Sequence, residues 1–167
     1  MKRKNFKISP HLSYSEVIKS ETALRQGIDN EPTDEHLENI QRIATLIFEP
    51  LREIVSSERG KSTPLRLTSC YRSKELNKAI GGSATSDHCF GRAMDIDIDG
   101  MYRESDLINA DLFYIIEEEL AFDQLIWEFG DDENPSWVHV GYRSRSENRA
   151  QILRALSKNK RTIYEPF

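Results

Sequence analysis

The sequence has few cysteines, no long apolar run and no excess of basic residues. Its 167 residues include two cysteines, Cys70 and Cys89, which are too few for a disulfide framework and fit a reducing compartment. No apolar run approaches the roughly 18 residues that a membrane-spanning helix needs. The 28 acidic residues outnumber the 23 basic ones, so the net charge is −5. We therefore expect neither a nucleic acid nor a membrane as a partner, because general binders of either usually carry a basic excess.

The beginning of the chain also lacks the apolar segment of a secretion signal. Residues 1–4 are basic, as in a signal peptide, but residues 5–10 do not build the apolar run of roughly 7–15 residues that should follow. We therefore expect a protein that is made in the cytoplasm without an export route of its own. The length indicates a single domain over residues 1–167, with flexible ends at 1–10 and 157–167. We expect it to be a monomer.

Apolar periodicity and capping residues predict helices and short strands that alternate along the chain. Thr33 is expected to cap a long amphipathic helix that Pro50 kinks or divides. A last helix is expected from Ser144 to Leu156, because Ser144 and Glu147 have capping-box spacing. Helices are predicted at residues 13–25, 33–54, 74–80, 105–120 and 144–156, and strands at 65–69, 92–98, 122–129 and 136–142. This order indicates an α+β fold with a mainly antiparallel sheet and flanking helices.

The most informative segment for chemistry is residues 86–95, Ser-Asp-His-Cys-Phe-Gly-Arg-Ala-Met-Asp. His88 lies on a predicted loop, and Asp95 lies on the polar face of the strand that follows. Gly91 permits the tight reversal between them. Such a turn can bring an imidazole nitrogen and a carboxylate oxygen onto one zinc ion. The segment therefore predicts two ligands of a metal site.

A third ligand has to come from elsewhere, and the chain has only four histidines. His11 lies near the start of the chain, and His36 lies in the first turn of the long helix that Thr33 is expected to cap. His139 remains, on a predicted strand. Three protein ligands with an open position for water are typical of catalytic zinc.

A metal-activated water needs a general base, and Glu128 is the candidate. The runs at 122–129 and 136–142 are expected to form a hairpin. If Phe129 pairs with Ser136, Glu128 and His139 become diagonal neighbours on one face, roughly 7–8 Å apart at Cα. A slip of one residue in register would turn Glu128 away.

These residues resemble a known family, the zinc D-alanyl-D-alanine carboxypeptidases and related peptidoglycan peptidases. The segment 86–95 matches the family's S-x-H-x-x-G-x-A-x-D motif. Thr68–Ser73, with Leu76-Asn77 and Gly81-Gly82, resembles its "SGYRS…LN…GG" stretch, and residues 137–139 resemble its closing W-x-H. The family shares the fold of the zinc domain of hedgehog signalling proteins, which is an α+β fold.

The resemblance implies a role for each matching position. It implies zinc ligands at His88, Asp95 and His139. Arg72 matches an arginine that holds a substrate carboxylate or the developing oxyanion, and a guanidinium suits either task. Ser86 is implied to bind substrate or to support the ligand loop.

Two positions depart from the family pattern. Cys70 stands where glycine is usual, and Ser136 stands where some branches carry the catalytic glutamate. The proposed role of Glu128 as general base therefore depends on the predicted hairpin register and on a looser likeness to a branch of the family with an "IWE" strand.

The resulting hypothesis is a zinc metallopeptidase that hydrolyses peptidoglycan stem peptides, either carboxypeptidase-like or like a phage endolysin. Without an export signal, it would reach the cell wall by another route, as phage lysins do. The alternative is a non-catalytic zinc-containing module that binds cell-wall peptides or serves in a phage particle. The position of Glu128 relative to the metal ligands discriminates between the two. The sequence leaves open which peptide bond is cut.

Other interpretations of the same residues remain at this stage. Arg72 could be a structural ion-pair partner. The spacing of Asp95, Asp97 and Asp99 before Gly100 matches the opening of an EF-hand calcium loop, although no helix is expected to enter it. Cys89, next to His88, could suggest a thiol nucleophile, but no third orienting group is evident.

Overall fold

Eight strands and six α-helices build the part of the chain that the computed structural model describes, residues 3–103, 106–159 and 161–167. The helices are α1 (Tyr14–Val17), α2 (Glu21–Gln26), α3 (Asp34–Ile43), α4 (Glu49–Glu58), α5 (Lys74–Ala79) and α6 (Asn109–Glu119). The strands are β1 (Lys7–Ser9), β2 (Leu12–Ser13), β3 (Leu67–Ser69), β4 (Ala93–Ile96), β5 (Gln124–Glu128), β6 (Trp137–Gly141), β7 (Gln151–Lys158) and β8 (Arg161–Pro166).

The main sheet has six strands in the order β3-β4-β6-β5-β7-β8. All neighbouring pairs are antiparallel except β5 and β7, which are parallel. Strands β1 and β2 form a separate two-stranded ribbon. The predicted α+β class with a mainly antiparallel sheet is confirmed.

Helices cover one face of this sheet and leave the other face for the site. Leu125 and Trp127 on β5, with Val138 and Val140 on β6, are completely buried in the hydrophobic core. Helix α6 packs against β5 and β6, and α3 packs against β4. Because side chains alternate along a strand, the residues between these positions face the opposite side. Among the described residues, no helix is both long and apolar enough to cross a bilayer.

The long helix predicted after Thr33 is divided, as the proline in it indicated. The Thr33 hydroxyl accepts a hydrogen bond from the backbone N–H of His36 at 3.2 Å and so caps α3. A π-helical turn, Ala44–Phe48, separates α3 from α4, and Pro50 lies in the first turn of α4. Proline is tolerated there because its missing N–H interrupts the ladder of helical hydrogen bonds where it is already irregular.

Two other predicted helices have different bounds. The helix expected over 13–25 is split into α1 and α2, and the Ser20 hydroxyl starts α2 by accepting from the N–H of Ala23. Gly27, at φ 65°, ends α2 in the left-handed conformation. The helix expected from Ser105 begins at Asn109, and Ser105 itself lies outside the described residues.

The helix predicted from Ser144 to Leu156 is wrong. Ser144 Oγ and Glu147 Oε2 do make the capping contact, at 2.6 Å, but it closes only a local turn. The chain then forms β7, which runs parallel to β5 with Gln124 opposite Gln151. Pairing with β5 satisfies a row of backbone groups on that strand, and this long-range gain outweighs the local capping preference.

The expectation of loose chain ends is also wrong for most of the C-terminal segment. Residues 161–166 form β8, which pairs antiparallel with β7 from Lys158–Arg161 to Leu153–Pro166. At the other end, β1 begins at Lys7. Strands β7 and β8 together form a C-terminal hairpin, which extends the sheet by two strands.

Candidate metal centre

Two of the candidate metal ligands lie opposite each other on neighbouring strands. Strand β4 pairs with β6 so that Asp95 is directly opposite His139. Residues opposite each other in an antiparallel pair project to the same face, with Cβ atoms about 4.5–5.5 Å apart. Asp95 and His139 thus meet on the face of the sheet that the helices leave free.

The third candidate, His88, is brought to this face by a tight turn. It lies in a 3₁₀ turn, Asp87–Phe90, which ends at Gly91 in the left-handed conformation, at φ 69°. A Cβ atom at Gly91 would lie 2.5 Å from the carbonyl oxygen of His36 on α3. Glycine is therefore required both for the turn and for the close approach of the turn to α3.

The three side chains converge within bonding reach of a single ion. His139 Nδ1 lies 2.8 Å from Asp95 Oδ1, and His88 Nε2 lies 3.2 Å from the same oxygen. One donor atom from each residue lies within 4.8 Å of the other two, and all three residues are buried. The geometry brings together the three predicted ligands.

Neighbouring groups fix the orientation of these side chains. His88 Nδ1 donates to the carbonyl oxygen of Cys70 at 2.6 Å, which leaves Nε2 facing Asp95. Arg72 binds Asp95 Oδ2 at 2.5 Å and Ser69 Oγ at 2.8 Å. Such contacts set the tautomer and direction of metal ligands. Arg72 thus is an ion-pair partner of Asp95, and it also lines the cleft in which the cluster lies.

The cluster is electrostatically coupled. Burial alone would raise the pKa of Asp95, but the charges and hydrogen bonds of His88 and His139 hold it well below its usual range. Burial lowers the pKa of His88, against the attraction of Asp95. Burial also acts to lower the pKa of His139, but the hydrogen bond and charge of Asp95 raise it overall. Asp95 is thus held as a carboxylate between two imidazoles.

The donor set fits a divalent metal such as zinc. Two imidazole nitrogens and one carboxylate oxygen are the ligands of many zinc sites, and three protein ligands leave a position for water or substrate. The other two histidines are engaged elsewhere: His11 Nδ1 contacts Glu49 at 2.6 Å, and His36 Nδ1 contacts the Tyr71 hydroxyl at 3.2 Å.

Glu128 lies in the same cleft as the three ligands. The predicted register is confirmed, since Glu128 pairs with Trp137 and Ile126 pairs with His139. The side chain is buried and lines the cleft together with His88, Asp95 and His139. Burial raises the pKa of Glu128 to about 7; the negative charge of Asp95 adds to this rise and His139 opposes it. A carboxyl group with such a pKa is suited to proton transfer near neutral pH.

The cleft has a volume of about 1150 Å³ and extends well beyond the metal cluster. Ser86 lies on the wall of the cleft, directly before the 3₁₀ turn that carries His88, which we call the ligand turn. The half-buried Trp137 also lies on this wall. The C-terminal hairpin supplies a further part of the lining, including Leu153 on β7 and Tyr164 on β8.

Sequence reasoning missed the contribution of the hairpin, because the sequence pattern predicts a helix over residues 144–156 and a flexible end over 157–167. A signal was available: Asn159 precedes a run of β-formers, Thr162-Ile163-Tyr164. Asn159 adopts a positive φ of 51°, which asparagine tolerates in tight turns.

It also missed a pair of cleft arginines held by one buried carboxylate. Asp123 accepts from Arg149 at 2.9 and 2.6 Å and lies 3.2 Å from Arg143. Arg143 also reaches Asp87, the neighbour of His88, at 3.2 Å. This network ties the ligand turn to the start of β7.

The alternative interpretations of the motif do not fit the geometry. Asp97 pairs with Arg66 at 2.8 Å, and the Asp99 carboxylate accepts from Asn134, so these acidic groups do not surround a common point with Asp95. The segment is a strand followed by a turn, without an entering helix. Cys89 is buried, and burial raises the pKa of its thiol, the opposite of what an activated nucleophile needs.

Comparison with known proteins agrees with this geometry. The model of the family described as peptidase M15 matches residues 10–110, which is more than half of the chain and includes His88 and Asp95. No curated protein matches the sequence. The extent of the family match, together with the motif at residues 86–95, shows that the chain belongs to the peptidase M15 family of zinc-dependent peptidases.

Proposed function

We propose that this protein is a zinc-dependent peptidase that hydrolyses peptidoglycan stem peptides. The observation that carries the proposal is the presence of Glu128, a buried carboxyl group with a pKa of about 7, in one cleft with a three-residue metal cluster. A module that only binds peptides has no need of such a group. The position of Glu128 therefore favours catalysis over the non-catalytic alternative.

His88, Asp95 and His139 would hold the zinc ion. When bound, zinc acts as a Lewis acid that makes a peptide carbonyl more electrophilic and a water molecule more acidic. The three side chains are already directed towards one another by the Cys70 carbonyl and by Arg72. This arrangement limits the reorganisation that metal binding requires.

Glu128 is the proposed general base. Its deprotonated carboxylate takes a proton from the attacking water and returns it to the amine of the leaving group. Since burial destabilises the charged carboxylate, the proton transfer to Glu128 is favoured near neutral pH.

Arg72 and Ser86 are the proposed substrate contacts. Arg72 keeps one terminal nitrogen on Asp95, and its side chain is one-fifth exposed to the cleft, where it can stabilise a substrate carboxylate or negative charge that develops on the carbonyl oxygen. Ser86 lines the cleft next to the ligand turn and offers a hydroxyl to the peptide.

We propose a cell-wall peptide as the substrate because the chain resembles the zinc D-Ala-D-Ala carboxypeptidases, which act on such peptides. Such a substrate lies outside the membrane. We propose that the protein reaches it after release by another route, as a phage lysin does.

The test is digestion of purified peptidoglycan by the zinc-loaded protein, with soluble products separated by mass. We expect shortened stem peptides from the wild type and a loss of at least about 100-fold in rate for Glu128→Gln. Glu133→Gln is the matched control, because Glu133 is an exposed glutamate of the loop that follows β5. Binding of stem peptides by the wild type without any hydrolysis would contradict the proposal and favour a binding module.

A further inference from the structure

The C-terminal hairpin places a tyrosine, Tyr164, in the lining of the cleft, two strands away from Glu128. Strand β5 pairs with β7 so that Glu128 is opposite Ala155, and β7 pairs with β8 so that Ala155 is opposite Tyr164. Residues directly opposite one another project to the same face of a sheet. Glu128, Ala155 and Tyr164 therefore form one row on the cleft face, and Tyr164 lines the cleft.

The middle residue of this row leaves room for the tyrosine ring. Ala155 carries only a methyl group and is completely buried. Two strand spacings separate Glu128 from Tyr164, which is about 10 Å between Cα atoms. A tyrosine that leans over Ala155 towards Glu128 can span much of this distance.

The hydroxyl of Tyr164 is free to bind a ligand. Within the described ranges, it makes no hydrogen bond, and the residue is 54% exposed. Burial, together with the negative charges of Glu128 and Asp95, raises its pKa, so the phenol stays protonated and can act as a donor. Tyr164 lines the same cleft as His88 and His139, so its side chain lies on the side of the sheet that carries the metal cluster.

The distance from the metal cluster to β8 indicates how much substrate the cleft accepts. Strand β6, which carries His139, is separated from β8 by β5 and β7. Three strand spacings correspond to about 14 Å, or about four residues of extended peptide. Between these ends, Ile126 and Leu153 add apolar side chains to the lining of the cleft, next to Glu128.

We propose that β8 forms the far end of an extended peptide-binding cleft, where the Tyr164 hydroxyl donates a hydrogen bond to a substrate backbone carbonyl about two to four residues from the bond that is cut. The substrate is then a peptide of at least about four residues, and a dipeptide fills only the metal end of the cleft. The inference depends on the proposed peptidase function for the position of the reacting bond, but peptide binding tests it separately.

The test measures binding of peptides of two lengths by calorimetry to the zinc-loaded Glu128→Gln variant, which keeps the peptides intact. The probes are the pentapeptide L-Ala-D-Glu-L-Lys-D-Ala-D-Ala and the dipeptides D-Ala-D-Ala and L-Ala-D-Glu. The pentapeptide offers four residues on one side of either terminal bond. Tyr164→Phe is added because it removes the hydroxyl and keeps the ring. Tyr114→Phe is the matched control, because Tyr114 is an exposed tyrosine of α6 outside the cleft.

We expect Tyr164→Phe to raise the Kd of the pentapeptide about 3–10-fold, the range of one hydrogen bond, and to leave dipeptide binding unchanged. Tyr114→Phe should change neither. In the catalytically intact protein, Tyr164→Phe should raise KM for the pentapeptide with little change in kcat.

Three results would overturn the inference: an unchanged pentapeptide Kd in Tyr164→Phe, an equal loss for dipeptide and pentapeptide, or no binding of any peptide. If the binding pattern is as expected but the wild-type protein leaves every peptide intact, the inference stands and the proposed peptidase function fails.

Discussion

Glu128 is unusual among the acidic residues because it combines burial with a raised pKa. The other two buried carboxyl groups of the described residues are held in the ionised form, Asp123 by two arginines and Asp95 by its contacts with the two imidazoles. In Glu128, burial outweighs the opposing charge of His139. This imbalance separates a carboxyl group poised for proton transfer from carboxylates that serve as ligands or anchors.

The raised pKa predicts a pH-dependent cost to folding in the metal-free protein. The pKa of Glu128 rises from 4.5 in the unfolded chain to about 7 in the folded protein, so folding binds a proton between these values. The stability that this group contributes is therefore lost as pH rises from about 4.5 to 7. We expect Glu128→Gln to stabilise the metal-free protein by up to about 3 kcal/mol at pH 8 and by much less at pH 4.

Urea unfolding at the two pH values measures this difference. Glu133→Gln, on the exposed loop, should show no such pH dependence. If Glu128→Gln changes the free energy of unfolding equally at pH 4 and pH 8, the assigned environment of Glu128 is wrong.

At the scale of elements, the turn that carries His88 depends on its contact with α3. Gly91 allows the turn to reverse at φ 69° and to lie against the carbonyl oxygen of His36. Asn39 Nδ2 also donates to the Phe90 carbonyl oxygen, at 3.0 Å. Helix α3 thus positions the metal ligand His88 without contributing a ligand itself.

Substitutions at two glycines with nearly the same backbone conformation, Gly91 and Gly27, distinguish the effect of this contact from that of backbone strain alone. Gly91→Ala and Gly27→Ala both force alanine into the left-handed region, at a cost of roughly 1–2 kcal/mol. A Cβ at Gly27 meets nothing within 4 Å, whereas one at Gly91 meets α3 at 2.5 Å. We expect Gly91→Ala to lower the free energy of unfolding, measured in urea, by at least about 1–3 kcal/mol more than Gly27→Ala does. We also expect Gly91→Ala, but not Gly27→Ala, to weaken zinc binding; equal losses in both variants would contradict the role of the contact.

Local patterns predict the elements that are specified locally. The Thr33 cap, the helix predicted at residues 74–80 and the β5–β6 register were all predictable from a few neighbouring residues. Strand β7 was not, because its partner β5 is distant in sequence and its own residues also suit a helix. The row that leads to Tyr164 could not be found without that pairing.

At the scale of the whole molecule, the two faces of the main sheet have different roles, one in stability and the other in the candidate site. Its helix-covered face forms the hydrophobic core, and its free face carries the metal cluster, the proposed base and the far wall of the cleft. The motif at residues 86–95 was enough to predict two ligands, and the small number of histidines pointed to the third. What brings His139 to Asp95 is the β4–β6 pairing, which joins segments more than forty residues apart and has no local signal.

The most direct test of the account is a calorimetric titration of the metal-free protein with zinc. We expect one zinc ion per chain in the wild type and a loss of affinity of at least about 100-fold in His139→Ala, because His139 supplies one of three protein ligands. His11→Ala, which removes an exposed histidine outside the cluster, should bind zinc like the wild type. Zinc binding by His139→Ala with the affinity of the His11→Ala control would contradict the metal centre on which the proposed function depends.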